Sequence, residues 1–155
     1  MTYGRTCVFA LSLQKEYPMK TAPTTPAILK TLIGPAQRAA LWAALEGEER
    51  NHFADIVTRL VATWQAMPVT YATESQGRAA VAHLHYFLGG ADWWIIEKDS
   101  DPDNAGQVQA FGIADLGMGP ELGYISIPEL LEVGAELDFH YNAQTVAEIL
   151  GRSVA

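Results

Sequence analysis

The apolar positions of this chain change period near residue 68. Over residues 51–67, Phe53, Ile56, Val57, Leu60, Val61, Trp64 and Met67 recur at intervals of three and four, while Asp55, Thr58, Arg59 and Gln65 point in other directions. That spacing predicts an amphipathic helix with one buried stripe. Upstream, Thr25-Pro26 suits a helix start, and Ile28, Leu29, Leu32 and Ile33 give one apolar face. Gly34-Pro35 interrupts that face, and residues 36–45 resume it with Leu41, Trp42 and Leu45 inward and Gly47 as the stop.

Beyond Pro68 the period becomes two. Residues 69–73, 80–88, 93–98, 107–115 and 122–127 read as successive strands. Gly89-Gly90 makes one connection a tight hairpin, and the Asp/Pro/Asn/Gly cluster over 99–106 makes the next a longer, solvated one. Connections this short imply an antiparallel meander. Leu84, Tyr86 and Leu88 alternate with Val81, His83, His85 and Phe87, and Trp93 and Ile95 with Trp94 and Ile96, so neither face is polar and both require cover. Helices supply one layer; the amino-terminal arm or a partner chain is the expected source of the other. Ser126 with Glu129 has capping-box spacing and opens a helix over 128–133, and Asn142 opens another over 143–150. Between them 136–141 reads as a last strand with Leu137 and Phe139 inward.

The expected fold is α+β: an amino-terminal helical layer on an antiparallel sheet of five or six strands, with two short helices near the end. A chain of 155 residues, 49% apolar, suffices for one core. We therefore read one domain over 1–155: an arm or edge strand at 1–24, the helical layer at 25–67 and the sheet at 68–150.

Cys7 is the single cysteine, which excludes an intrachain disulfide and any multi-cysteine zinc site. The apolar run over 7–13 is short and has only Arg5 as a basic side chain before it, without a small-residue cleavage pattern after it. No stretch approaches the roughly 18 apolar residues of a membrane span. The expectation is a cytoplasmic protein with no membrane anchor. Net charge is uneven: residues 1–67 carry +2 and residues 68–155 carry −10, which together give −8. Such a field repels phosphates and attracts basic protein surfaces, so direct nucleic-acid binding is disfavoured.

The most distinctive stretches are Phe-Gly-Ile-Ala-Asp-Leu-Gly at 111–117 and Pro-Glu-Leu-Gly-Tyr-Ile-Ser-Ile at 120–127. With the acidic Glu-Leu-Asp-Phe-His-Tyr stretch and the closing helix, they give residues 68–150 a pattern that resembles a family of uncharacterised bacterial proteins, a domain of unknown function carried largely on plasmids, phages and integrated elements. The resemblance implies no catalytic residues. It implies a genetic setting near antirestriction and plasmid-maintenance functions.

Candidate chemistry is sparse. His83 and His85, two apart on a strand, would place both imidazoles on one face, with Asp92, Glu97 or His140 as a possible third ligand. Asp99, Asp101 and Asp103 alternate like the opening of a calcium loop, but Asn104 and Ala110 stand where glycine and glutamate are required. A solvated acidic loop is the simpler reading. Glu97 with Asp115, or Asp92 with Glu121, are conceivable acid–base pairs, of a kind that thirteen carboxylates in residues 68–155 also produce by chance. Gly117, Gly119 and Gly123 lack the lysine and helix of a phosphate loop. Trp93 and Trp94 point to opposite faces, and an uncovered one would be an interface anchor.

The expected function is that of a non-enzymatic accessory protein of a mobile element, binding a basic protein surface through acidic residues, with counter-defence or DNA mimicry as its sharper form. Asp99, Asp101, Asp103, Trp94 and Glu121 are the expected contacts; no cofactor is implied, and the chain is expected as a monomer or homodimer. The alternative is a small metal- or ligand-binding enzyme with a pocket around His83 and His85.

Overall fold

The computed structural model describes residues 26–99 and 109–152. The predicted arm at 1–24, with Cys7, and the acidic pair Asp101 and Asp103 lie outside the described residues.

Three helices come first along the described residues: α1 (Leu29–Leu32), α2 (Pro35–Glu46) and α3 (Arg50–Ala66). Proline at the first position of α2 fits, because its missing N–H is one the helix start leaves unpaired anyway. The stripe on α3 is buried as its spacing requires: Ile56 and Leu60 enter the core, with Phe53, Val57 and Trp64 packed against it. The end of α3 is held by Lys98, whose ammonium donates to the carbonyls of Trp64 (2.7 Å) and Gln65 (3.2 Å). A cation on the last free carbonyls also opposes the helix dipole.

The predicted strand at 69–73 does not form. Val69 makes an isolated parallel bridge to Lys98, and the chain then turns through a 3-10 helix (Glu74–Ala79). Among the described residues seven short strands follow: β1 (Val81–Ala82), β2 (Leu84–Leu88), β3 (Ala91–Glu97), β4 (Ala110–Asp115), β5 (Pro120–Ile125), β6 (Glu136–Leu137) and β7 (Gln144–Thr145). Two short helices, α4 (Ile127–Glu132) and α5 (Val146–Gly151), complete the set. The main sheet has the order β5-β4-β3-β2-β6, all pairs antiparallel, and β1 with β7 forms a separate two-stranded sheet. The α+β expectation holds, and the meander is β2 to β5.

Register divides the sheet into two faces. Leu84 opposes Ile95 and Tyr86 opposes Trp93 and Leu137, so these side chains share the face under α1 to α4. Tyr86 is fully buried there and donates its hydroxyl to the Leu32 carbonyl at 2.7 Å. Burial pushes that phenol well above the ordinary tyrosine range. The opposite face gathers Ile96, Ile113, Ala80 and Ala82 with Val146 and Ile149 of α5. The second layer is thus supplied, at least over this area, by the 3-10 helix, the small sheet and α5.

Three further boundaries differ from the pattern. The run at 80–88 breaks at His83: Ala82 belongs to one core and Leu84 to the other, which unbroken alternation over two residues forbids. The strand read over 136–141 stops at Leu137 because Asp138 turns the chain, its carboxylate accepting the His140 N–H at 2.9 Å. The last helix starts at Thr145, not Asn142, through a complete capping box with Glu148. That bonding by Thr145 holds the Glu148 carboxyl below its usual range.

Candidate functional site

The central hairpin explains its own glycines. At Gly112 an added Cβ would lie 1.9 Å from the Trp94 carbonyl oxygen, so only glycine lets β4 approach β3 there. Gly117 and Gly119 have φ of 90° and 107°, and the Asp115 carboxylate accepts both their N–H groups at 2.9 and 3.3 Å. Asp115 is thereby a turn-former.

Next to Gly112, β3 carries a bulge. Ile95 opposes Gly112 and Glu97 opposes Phe111, which leaves Ile96 as an extra residue. The bulge turns Ile96 and Glu97 to the same side, where both line a cavity of about 500 Å³. Glu97 is 3% exposed, and both oxygens of its carboxylate are bonded: it accepts the N–H groups of Tyr71 and Thr73 at 2.8 Å each and the Thr73 hydroxyl at 2.5 Å. A buried carboxylate is tolerable when it is bonded this completely. Its grip holds Tyr71 at φ 74°, the one positive φ of a non-glycine residue among the described residues. Such a conformation costs on the order of 1–3 kcal/mol and persists only where the surroundings impose it. The result is that the Tyr71 hydroxyl lies 2.8 Å from that of Tyr124 at the rim. That bond is the main reason the Tyr124 phenol sits above its ordinary range. Phe111 packs edge-on against Tyr124, with ring centroids 5.6 Å apart.

A second cluster surrounds His85. Its Nε2 is 2.7 Å from Asp92 and its Nδ1 is 3.3 Å from Asp138, while its ring stacks on Trp94 at 5.2 Å. Each ring nitrogen thus has a carboxylate oxygen within hydrogen-bond reach. These groups line an open recess of about 430 Å³ with His140, Tyr141 and Arg152. His83 is elsewhere, in a smaller recess beside Arg59 and Thr63, and burial lowers its pKa. The expected His83–His85 pair is therefore broken by the kink between β1 and β2. The hairpin does bring Asp92 to His85, but as a hydrogen-bond partner. Among the described residues no group of three or more His, Cys, Asp or Glu is arranged to hold a metal ion.

Of the residues expected to contact a partner, the described ones do not form one surface. Asp99 accepts the Gln109 N–H at 3.1 Å. Trp94 packs against the second core and stacks on His85, so the face on which it sits is covered at that point. Glu121 is exposed on β5 and opposes Ala114, which places it on the other face from Trp94. The same register puts Asp92 and Glu121 on opposite faces, whereas Glu97 opposes Phe111, four positions along β4 from Asp115. Sequence reasoning overlooked Tyr71, Thr73 and the cavity role of Glu97, since a bulge leaves no periodic trace. Tyr124 and Leu122, both in the distinctive hairpin, were available as a signal.

An α+β protein whose sheet is packed under helices on one face and half covered on the other is the class defined here. Residues 33–146 match the family described as "Protein of unknown function (DUF2958)", and the chain belongs to that family. The match begins in the helical layer, so the family pattern is wider than the sheet region that first suggested it. No curated protein and no solved structure matches the chain. No helix among the described residues is long and apolar enough to cross a membrane.

Proposed function

We propose that the protein acts by binding another protein, as a non-enzymatic accessory protein of a mobile genetic element working in the cytoplasm. The observation that supports this best is the β4–β5 hairpin, where Leu116, Met118, Leu122 and Tyr124 are 66, 97, 52 and 54% exposed. Large apolar side chains gathered on one hairpin suit an interface. The acidic excess of residues 68–155 favours a partner with a basic surface. A DNA mimic needs free, regularly spaced carboxylates, whereas Asp92, Glu97, Asp99, Asp115, Asp138 and Glu148 all accept hydrogen bonds within the chain. A mixed apolar and acidic contact is therefore the form we favour, and a counter-defence role is its proposed setting.

Capture from host lysate with the tagged chain, beside Leu122→Lys/Tyr124→Lys and the control Asp55→Lys on the exposed side of α3, tests this reading. The expected result is one basic protein enriched by wild type and control, weakened by salt and lost from the double variant. Equal recovery by all three would overturn it. The second reading, a ligand-binding site or small enzyme at His85, is favoured by the Asp92–His85–Asp138 arrangement in an open recess. Under it, His85→Ala would abolish the function while Leu122→Lys/Tyr124→Lys would spare it.

A further inference from the structure

The cavity beside the bulge holds more than a flat contact surface needs. Its volume of about 500 Å³ lies within the range, about 300–1,000 Å³, of sites that enclose a ligand. Its floor is apolar, from Ile96, Val146 and Leu150, and its wall is the edge-on pair Phe111 and Tyr124. The polar groups inside are already matched: Glu97 takes three hydrogen bonds, and the hydroxyls of Tyr71 and Tyr124 bond each other. A sugar would find little to bond inside, and a phosphate only Arg78 at the rim, where Glu74 repels it. Water would find few partners against that floor, so its release would favour an apolar occupant. At the rim, Glu74 supplies a negative charge, and Arg78 makes no hydrogen bond or ion pair among the described residues.

We propose that this cavity is a socket for one aromatic side chain of the bound protein, flanked in that partner by a basic residue that faces Glu74. The proposal rests on the protein-binding reading and names the chemistry of its anchor. The ring stacks within reach of Phe111 and Tyr124 and lies under the Arg78 guanidinium, two contacts that an aliphatic side chain cannot make as well. The Tyr71–Tyr124 hydrogen bond is the latch across the entrance. The strained backbone of Tyr71, gripped by Glu97, is what positions it.

The test is a titration of the isotope-labelled full chain, read by amide chemical shifts, with N-acetyl-tryptophanamide and with a capped Lys-Trp-Lys peptide. The socket predicts saturable shifts at Ile96, Phe111, Tyr124 and Leu150. It also predicts binding about threefold tighter for the peptide at low salt, a gain erased at high salt. Leu150→Trp, which fills the cavity, should weaken binding about tenfold. Tyr124→Phe keeps the ring, removes the latch and should tighten binding about two- to tenfold, and it remains informative if Leu150→Trp does not fold. Absence of saturable shifts, or shifts indifferent to both substitutions, would overturn the proposal. So would equal affinity for the amide and the peptide, which would mark a small-molecule site. These probes need no natural partner, so a failed titration removes the socket and leaves the broader reading to the capture experiment.

Discussion

On one face of the sheet, Leu84, Tyr86 and Ile95 lie beneath α1 to α4, and the outer edge is closed as well. There the Gln37 side chain pairs with β6 as a strand would, donating to the Leu137 carbonyl at 2.7 Å and accepting its N–H at 3.0 Å. On the other face, Ile96 and Ile113 are covered by α5, but towards β5 the cover ends and Leu122 and Tyr124 stand exposed. Among the described residues nothing pairs with the outer edge of β5. Both faces are apolar in sequence, so the difference is one of cover. A free apolar surface beside an unpaired edge invites association, which natural proteins suppress unless they use it.

Substitutions can break or sharpen that contrast. On the helix-covered face, Ile95→Ala should cost about 2–5 kcal/mol in urea unfolding, because a fully buried side chain leaves a cavity that four helices cannot readily collapse. At the boundary, Glu97→Ala should cost about 2–3 kcal/mol by leaving the N–H groups of Tyr71 and Thr73 without their acceptor. Its distinguishing sign is faster hydrogen exchange at those two amides. On the open face, Leu122→Ala should change stability by no more than about 0.5 kcal/mol while weakening partner binding. A large loss of stability there would mean that Leu122 serves the fold and that the two faces do not differ as described.

Titration offers the smallest and most local readings. Tyr71→Phe removes the bond that raises Tyr124, so the Tyr124 phenol should ionise nearer its ordinary pH in a tyrosinate absorbance titration. Tyr141 is pushed up to about 12, chiefly by burial. A phenol raised in the folded state favours the protonated fold, so its contribution is present below the ordinary tyrosine pKa of about 10 and is lost as pH rises towards 12. Tyr141→Phe should remove its own share of the alkaline fall in stability, on the side of the molecule near His85, and leave the shares of Tyr86 and Tyr124 in place.

The helices and the hairpins were legible in the sequence because each rests on local rules. The α3 stripe is a period, and Gly89-Gly90 and the Asp115 turn are glycine chemistry. Non-local devices were not legible. His83 interrupts a strand only because two cores compete for Ala82 and Leu84. The bulge at Ile96 shifts Glu97 to the other face, and no spacing in 93–98 announces it. Residues 69–73 look like a strand, yet Glu97 captures their amides and turns them into a loop. The candidate site depends on just these three features, so the resemblance in the β4–β5 hairpin pointed nearer to it than the histidines did.

The most direct test of the open face is photocrosslinking in host cells, with a photoreactive amino acid in place of Leu122 or, as control, of the exposed Thr58 on α3. We predict a discrete adduct with one basic protein from position 122 and none from position 58. No adduct at 122, or the same adducts from both positions, would contradict the account.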